Sequence, residues 1–150
     1  MNELFNTPFE TGLRAMLILY STNSYGMTID RIVAYDFMTI YGGDLGISNI
    51  NLHGINHFNF SELASKRAIC SEGLKMFVLE GLITVTRNKN GFLYSITLAG
   101  KKYVEELKSN YKNQYLDILK GVQSKYETVA DSELIKYISN TAIRALRRQT

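Results

Sequence analysis

Residues 73–100 read GLKMFVLEGLITVTRNKNGFLYSITLAG, and the way this stretch divides decides the fold. Leu74, Phe77 and Val78 recur at helical spacing and continue an apolar side begun by Leu63, Ile69 and Cys70. Gly81 ends that helix. Leu82–Thr86 is rich in β-branched side chains and predicts a strand. Asn88-Lys89-Asn90-Gly91 contains the Asn-Gly pair of a tight hairpin, and Phe92–Thr97 is the return strand. Leu98-Ala99-Gly100 then starts a new helix. The stretch therefore predicts a helix running straight into a two-stranded hairpin and out again into a helix.

Upstream, Thr7-Pro8-Phe9-Glu10 has the form of a helix start. Thr7 stands at the N-cap, Pro8 at the first helical position, and Glu10 three residues after the cap. This helix should reach about Ser21, with Leu13, Met16, Leu17 and Tyr20 as its buried stripe. Thr28 predicts the cap of a second helix, with Asp30 in its first turn and Ile29, Ile32, Val33, Phe37 and Ile40 on one face. Gly42-Gly43 stops it. From Gly42 to Phe60 four glycines and four asparagines rule out a regular helix, and a loop of this length in a domain is often functional. Ser61 predicts the cap of the third helix. Downstream, Tyr103, Leu107, Tyr111, Tyr115 and Ile118 predict one long helix with a break or kink at Gly121. Asp131 or Ser132 caps a last helix carrying Leu134, Ile138, Ala142, Ala145 and Leu146. The expected class is mostly α (α+β), a winged-helix-like domain with one β-hairpin and a C-terminal helical extension. We expect one domain over residues 1–150, with the winged-helix-like core at about 5–110 and the extension at about 111–150.

Composition narrows the function classes. The hydrophobic fraction of 45% and charged fraction of 21% are those of a globular chain without low-complexity tracts. The apolar run Ala15–Tyr20 is too short to cross a bilayer, and MNELFNTPFE lacks the apolar core of a signal peptide. A cytoplasmic protein is expected, and the lone Cys70 fits a reducing compartment. Charge is unevenly placed: residues 1–75 carry −2 and residues 76–150 carry +5. A basic second half suits an acidic partner or nucleic acid, and equally a solvated helix surface.

No convergent catalytic set is legible, and no enzyme activity, cofactor or metal is expected. There is no P-loop, CxxC or HExxH. His53 and His57 flank glycine and asparagine on a loop, which does not bring two imidazoles onto one helical face. Cys70 lies on the apolar side of its helix and reads as a small buried hydrophobe. Arg67, Ser71 and Lys75 share a face of the third helix, and Arg87 and Lys89 sit at the hairpin tip. These four basic residues suffice for phosphate contact and are thin for base reading, with Glu62 and Glu72 close by. The tyrosines at 103, 111, 115, 126 and 137 suit either an interface or a core with hydroxyls reaching water.

FNTPFETGLRAMLILYS (5–21), YDFMTIYGGDLGISNINLHG (35–54), GLKMFVLEGLI (73–83) and GFLYSITLAGKKYVEELKSNY (91–111) resemble the middle component of bacterial ABC-three-component systems. They are also similar to the small subunit of Lamassu-type phage defence systems. The likeness covers roughly residues 5–115, and GGDLGI followed by LHG is its most specific part. Where the family has a proline-containing run after the histidine, this sequence has Gly54-Ile55-Asn56-His57. The resemblance implies a non-catalytic adaptor working beside an SMC-like ATPase and an effector, often a nuclease, in anti-phage defence. The expected partner-binding residues are Asp44, Leu45, Gly46, Leu52 and His53; the competing reading is that their loop caps the domain's own core. Arg144, Arg147 and Arg148 are a secondary interface candidate. Weak, non-specific DNA contact through Arg67, Lys75, Arg87 and Lys89 is compatible with this, and no membrane contact is expected. A winged-helix DNA-binding transcription regulator is the alternative.

Overall fold

The computed structural model describes residues 7–22, 26–42, 60–89 and 91–148, with the backbone alone for 60–64 and 141–148. Among them the order is α1 (Pro8–Thr22), α2 (Ile29–Ile40), α3 (Phe60–Leu79), β1 (Ile83–Asn88), β2 (Gly91–Ile96), α4 (Leu98–Glu106), α5 (Asn110–Tyr126) and α6 (Asp131–Arg148). The class is mostly α with one antiparallel hairpin, as expected.

Local chemistry sets the helix ends. The Glu10 amide donates to Thr7 Oγ1 at 3.1 Å and the Arg31 amide to Thr28 Oγ1 at 3.2 Å. The Gly100 and Lys112 amides donate to Thr97 and Ser109 hydroxyls at 3.0 Å. Each such cap stabilises its helix by about 1 kcal/mol. α3 closes with the Leu82 amide on Phe77 O and the Gly81 amide on Val78 O, with Gly81 at φ +77°. That paired closure needs a left-handed residue, which is why glycine stands there.

Several expectations change. The long helix after the hairpin is two helices: the chain breaks at residues 107–109, and Gly121 lies inside α5. Ser109 caps the new helix, while Lys112 Nζ donates to Val104 O in the last turn of α4 at 3.1 Å and to Leu107 O just past it at 2.6 Å. α3 begins at Phe60, so Ser61 lies in its first turn and does not precede it. Leu13 and Tyr20 are only partly buried, and burial in α1 follows no single stripe: Thr11, Gly12 and every residue from Arg14 to Leu19 are buried, so neighbouring elements pack on more than one side of the helix.

α1, α2, α5 and α6 feed one core. Met16, Ile18, Ile32, Phe37 and Met38 meet Tyr115, Leu119, Leu134 and Ile138, all fully buried. The most extensive helix–helix contact is α1 on α3. It crosses at two glycines: a Cβ on Gly73 would stand 2.3 Å from Pro8 O, and one on Gly12 would stand 2.9 Å from Gly73 O. Only glycine permits so close a backbone approach.

Arg31 joins α2 to the α5–α6 elbow. Its Nε donates to Asp131 Oδ1 at 2.7 Å, Nη1 to Tyr35 Oη at 2.9 Å and Tyr126 O at 3.4 Å, and Nη2 to Val129 O. Thr28 donates to the other Asp131 oxygen at 2.6 Å. One guanidinium thus bridges the end of α5 and the start of α6, a fork that lysine cannot reproduce. Arg31→Lys is expected to cost about 2 kcal/mol and to speed amide exchange along α6, measured by hydrogen exchange. Unchanged exchange in α6 would show that Leu134 and Ile138 dock this helix without Arg31.

Candidate functional site

α3 carries Arg67 and Lys75 exposed on one side, two turns apart. Arg67 is already engaged: its Nε donates to Asp30 Oδ1 on α2 at 2.8 Å, with both side chains about half exposed. A pair so open to solvent is weak, but it shares the charge that α3 would offer a phosphate. Glu72 is exposed on the same helix. At the far end of the hairpin Arg87 and Lys89 are exposed, and the Arg87 guanidinium sits over the Phe92 ring at 5.8 Å from its centroid. These four basic side chains stand on two separate elements, α3 and the hairpin.

A buried polar centre, which sequence reasoning missed, lies between α1, α2 and α5. Arg14, 2% exposed, donates from Nε to Asp36 Oδ1 at 2.8 Å and from Nη2 to Thr11 Oγ1 at 3.3 Å. The Tyr115 hydroxyl donates to the same Asp36 oxygen at 2.6 Å. The sequence left this tyrosine as an interface residue or a core residue with its hydroxyl reaching water; Tyr115 is in the core, but its hydroxyl reaches a carboxylate, because α5 folds back across α1 and α2. A signal existed: Arg14 and Asp36, of opposite charge, each interrupt an otherwise apolar run, LRAMLIL and VAYDFM. Charges in such places need partners.

The centre is locked electrostatically. Burial by itself would raise the Asp36 carboxyl, but Arg14, Lys66 and the hydrogen bonds from Arg14 and Tyr115 outweigh it and hold the group below the usual aspartate value. Burial opposes the Arg14 charge, yet Asp36 beside it keeps the guanidinium protonated beyond its ordinary range. Burial and then Asp36 push Tyr115 well above ordinary tyrosine. Burial, with Asp36 nearby, pushes the Cys70 thiol up to about 12. None of these four groups is poised to exchange a proton near neutral pH, so the arrangement works as a fixed ion pair. Cys70 is the small buried side chain that its helix position implied.

A family model described as ABC-three component (ABC-3C) system Middle Component 2 matches residues 4–148. The chain belongs to this family. Neither the curated proteins nor the solved structures compared with it gave a match.

For this middle component the match runs well past the 5–115 of the sequence resemblance, so α5 and α6 are part of the family pattern. The loop residues Asp44, Leu45, Gly46, Leu52 and His53 lie outside the described residues. Arg144, Arg147 and Arg148 lie in the last two turns of α6, and their side chains are outside the description. No helix among the described residues is long and apolar enough to cross a membrane. The middle component also presents an apolar groove of about 370 Å³ lined by Phe9, Met76, Leu79, Leu82 and Tyr103, with Leu79 79% exposed at its rim. A larger groove of about 640 Å³ between α1, α4 and α5 is of mixed polarity, with Tyr20 and Leu116 beside a balanced set of charges, Lys101 and Lys120 with Glu105 and Asp117.

Proposed function

We propose that this middle component is a non-catalytic, cytoplasmic adaptor of an anti-phage defence complex, similar to the Lamassu small subunit, linking an SMC-like ATPase to an effector, often a nuclease. The family match over almost the whole chain carries this reading. The exposed apolar groove around Phe9, Met76 and Leu79 supports a protein-binding role, since exposed apolar patches of this kind are commonly contact sites. We read the portion at about 5–110 as winged-helix-like. In support, Met27 stands between α1 and α2 and pairs with Tyr94, in the place of a third strand beside the hairpin.

Co-expression with the neighbouring genes of its system tests this. The chain is expected to co-purify with an SMC-like ATPase. Asp44→Ala with His53→Ala should impair that co-purification while leaving the melting temperature within a few degrees. If the double variant unfolds, the loop is structural; if it binds normally, the interface lies elsewhere and α6 with Arg144, Arg147 and Arg148 is next. A chain that purifies free of both components and binds one pseudo-palindromic operator would instead be the transcription regulator.

The winged-helix order keeps a nucleic-acid reading open, and the charges limit it. With Arg67 engaged by Asp30 and Lys66 buried, three exposed cations remain among the described residues of these two elements: Lys75, Arg87 and Lys89. Duplex DNA binding through them is expected to be non-specific, with a log–log salt slope no steeper than about −3. Alanine at all three should flatten the slope by about that amount. An unchanged slope would move the contact to another surface.

A further inference from the structure

We infer that the outer edge of β1 docks an extended, acidic segment of a partner component, adding a strand to the hairpin. This rests on the adaptor reading and names the contact. The register pairs Ile83 with Ile96, Val85 with Tyr94 and Arg87 with Phe92. Tyr94 has both its N–H and its C=O on Met27, each at 2.8 Å, so its polar groups face away from β1. The Thr97 amide donates to Leu82 O at 3.1 Å, so that pair faces inward. Strand polar groups alternate from side to side. Thr84, Thr86 and Asn88 are therefore the residues bonded to β2, and Val85 and Arg87 point their N–H and C=O groups outward. β2 is covered on its far side by Met27; β1 has no strand on its free edge among the described residues. From Thr84 to Asn88 every residue is exposed.

An open edge is a template for another strand, and folded proteins blunt it or use it. This one is not blunted by a proline or a bulge. Its side chains state the partner. Between Gly81 and Thr97 there is no acidic residue, while Arg87 and Lys89 are cationic, so the complementary strand is acidic. Val85 and Phe92, both exposed, share the Arg87 face of the hairpin and suit an apolar side chain on the added strand.

The experiment is hydrogen exchange on the chain alone and in its co-expressed complex, with two proline variants. In the chain alone the Val85 and Arg87 amides should exchange fast and those of Thr84 and Thr86 slowly. In the complex the first two should become protected. Val85→Pro removes only an outward N–H, which an edge strand tolerates; it should melt like the wild type and weaken complex formation about tenfold, the effect of losing one or two main-chain hydrogen bonds. Thr86→Pro removes a bond to β2 and should disrupt the hairpin. A complex in which Val85 and Arg87 still exchange as in the free chain overturns the edge proposal and leaves the adaptor reading standing. No complex at all overturns both. Protection by duplex DNA, or protection that rises with the concentration of the chain alone, would assign the edge to nucleic acid or to a second copy and also overturn the proposal.

Discussion

Gly73→Ala is expected to lower the melting temperature of the chain by about 10 °C. The new Cβ would stand 2.3 Å from Pro8 O, 2.8 Å from Gly12 N and 2.9 Å from Gly12 Cα. All three are backbone atoms, so no rotamer change relieves the clash and α1 must move off α3. Overpacking of this kind costs about 3 kcal/mol, and a chain of this size loses about 3 °C per kcal/mol. Gly12→Ala should be milder, because only one of its close contacts is backbone, Gly73 O at 2.9 Å, and the other two are Phe77 ring atoms on a side chain that can turn. Gly121→Ala is the control: the position is exposed inside α5, and alanine there should stabilise by about 1 kcal/mol. Thermal unfolding followed by circular dichroism ranks the three. A Gly73→Ala curve overlying the wild type would mean that the two helices do not cross in contact.

Asp36→Ala is expected to be at least as damaging, about 4 kcal/mol, since it leaves the Arg14 charge and the Tyr115 hydroxyl buried without their carboxylate. Replacing the set together, Arg14→Met with Asp36→Leu and Tyr115→Phe, should recover most of that loss, because apolar residues of similar volume need no partner. The pH dependence has a definite sign. Asp36 ionises more readily in the folded chain than in the unfolded one. Its contribution is therefore complete above the unfolded carboxyl value of about 4 and is lost as the pH falls from there through the lower folded value. Urea midpoints measured from neutral pH into acid should show this loss in the wild type, and Asp36→Asn should lack that component. Equal acid sensitivity in the two proteins would place the titrating group elsewhere.

Residues with local causes were legible in the sequence. The Thr7 and Thr28 caps, the Gly81 stop and the hairpin are set by side chains acting within a few residues of their own backbone, and family membership was visible in short runs such as GGDLGI. Even there, strand ends moved by a residue or two, because the register of the hairpin is fixed by pairing across it and not by β-propensity.

The candidate site was legible only as a set of charges. Arg67 and Lys75 could be placed on one face of a helix from spacing alone, but the engagement of Arg67 by Asp30 is a contact between residues 37 positions apart. The break between α4 and α5 shows the same limit: the apolar spacing runs on through Leu107 and Tyr111, and α5 turns away because Tyr115, Leu119 and Val122 must reach the α1–α2 core. What the sequence by itself determined is the mostly α class with its one hairpin, the helix ends set by local caps such as Thr7, Thr28 and Gly81, and the family. What the tertiary structure decided is which charges are buried together, which glycines are crossings, and which edge of the hairpin is left open. Those depend on residues far apart in the chain, and neither periodicity nor propensity reports a contact that only packing creates.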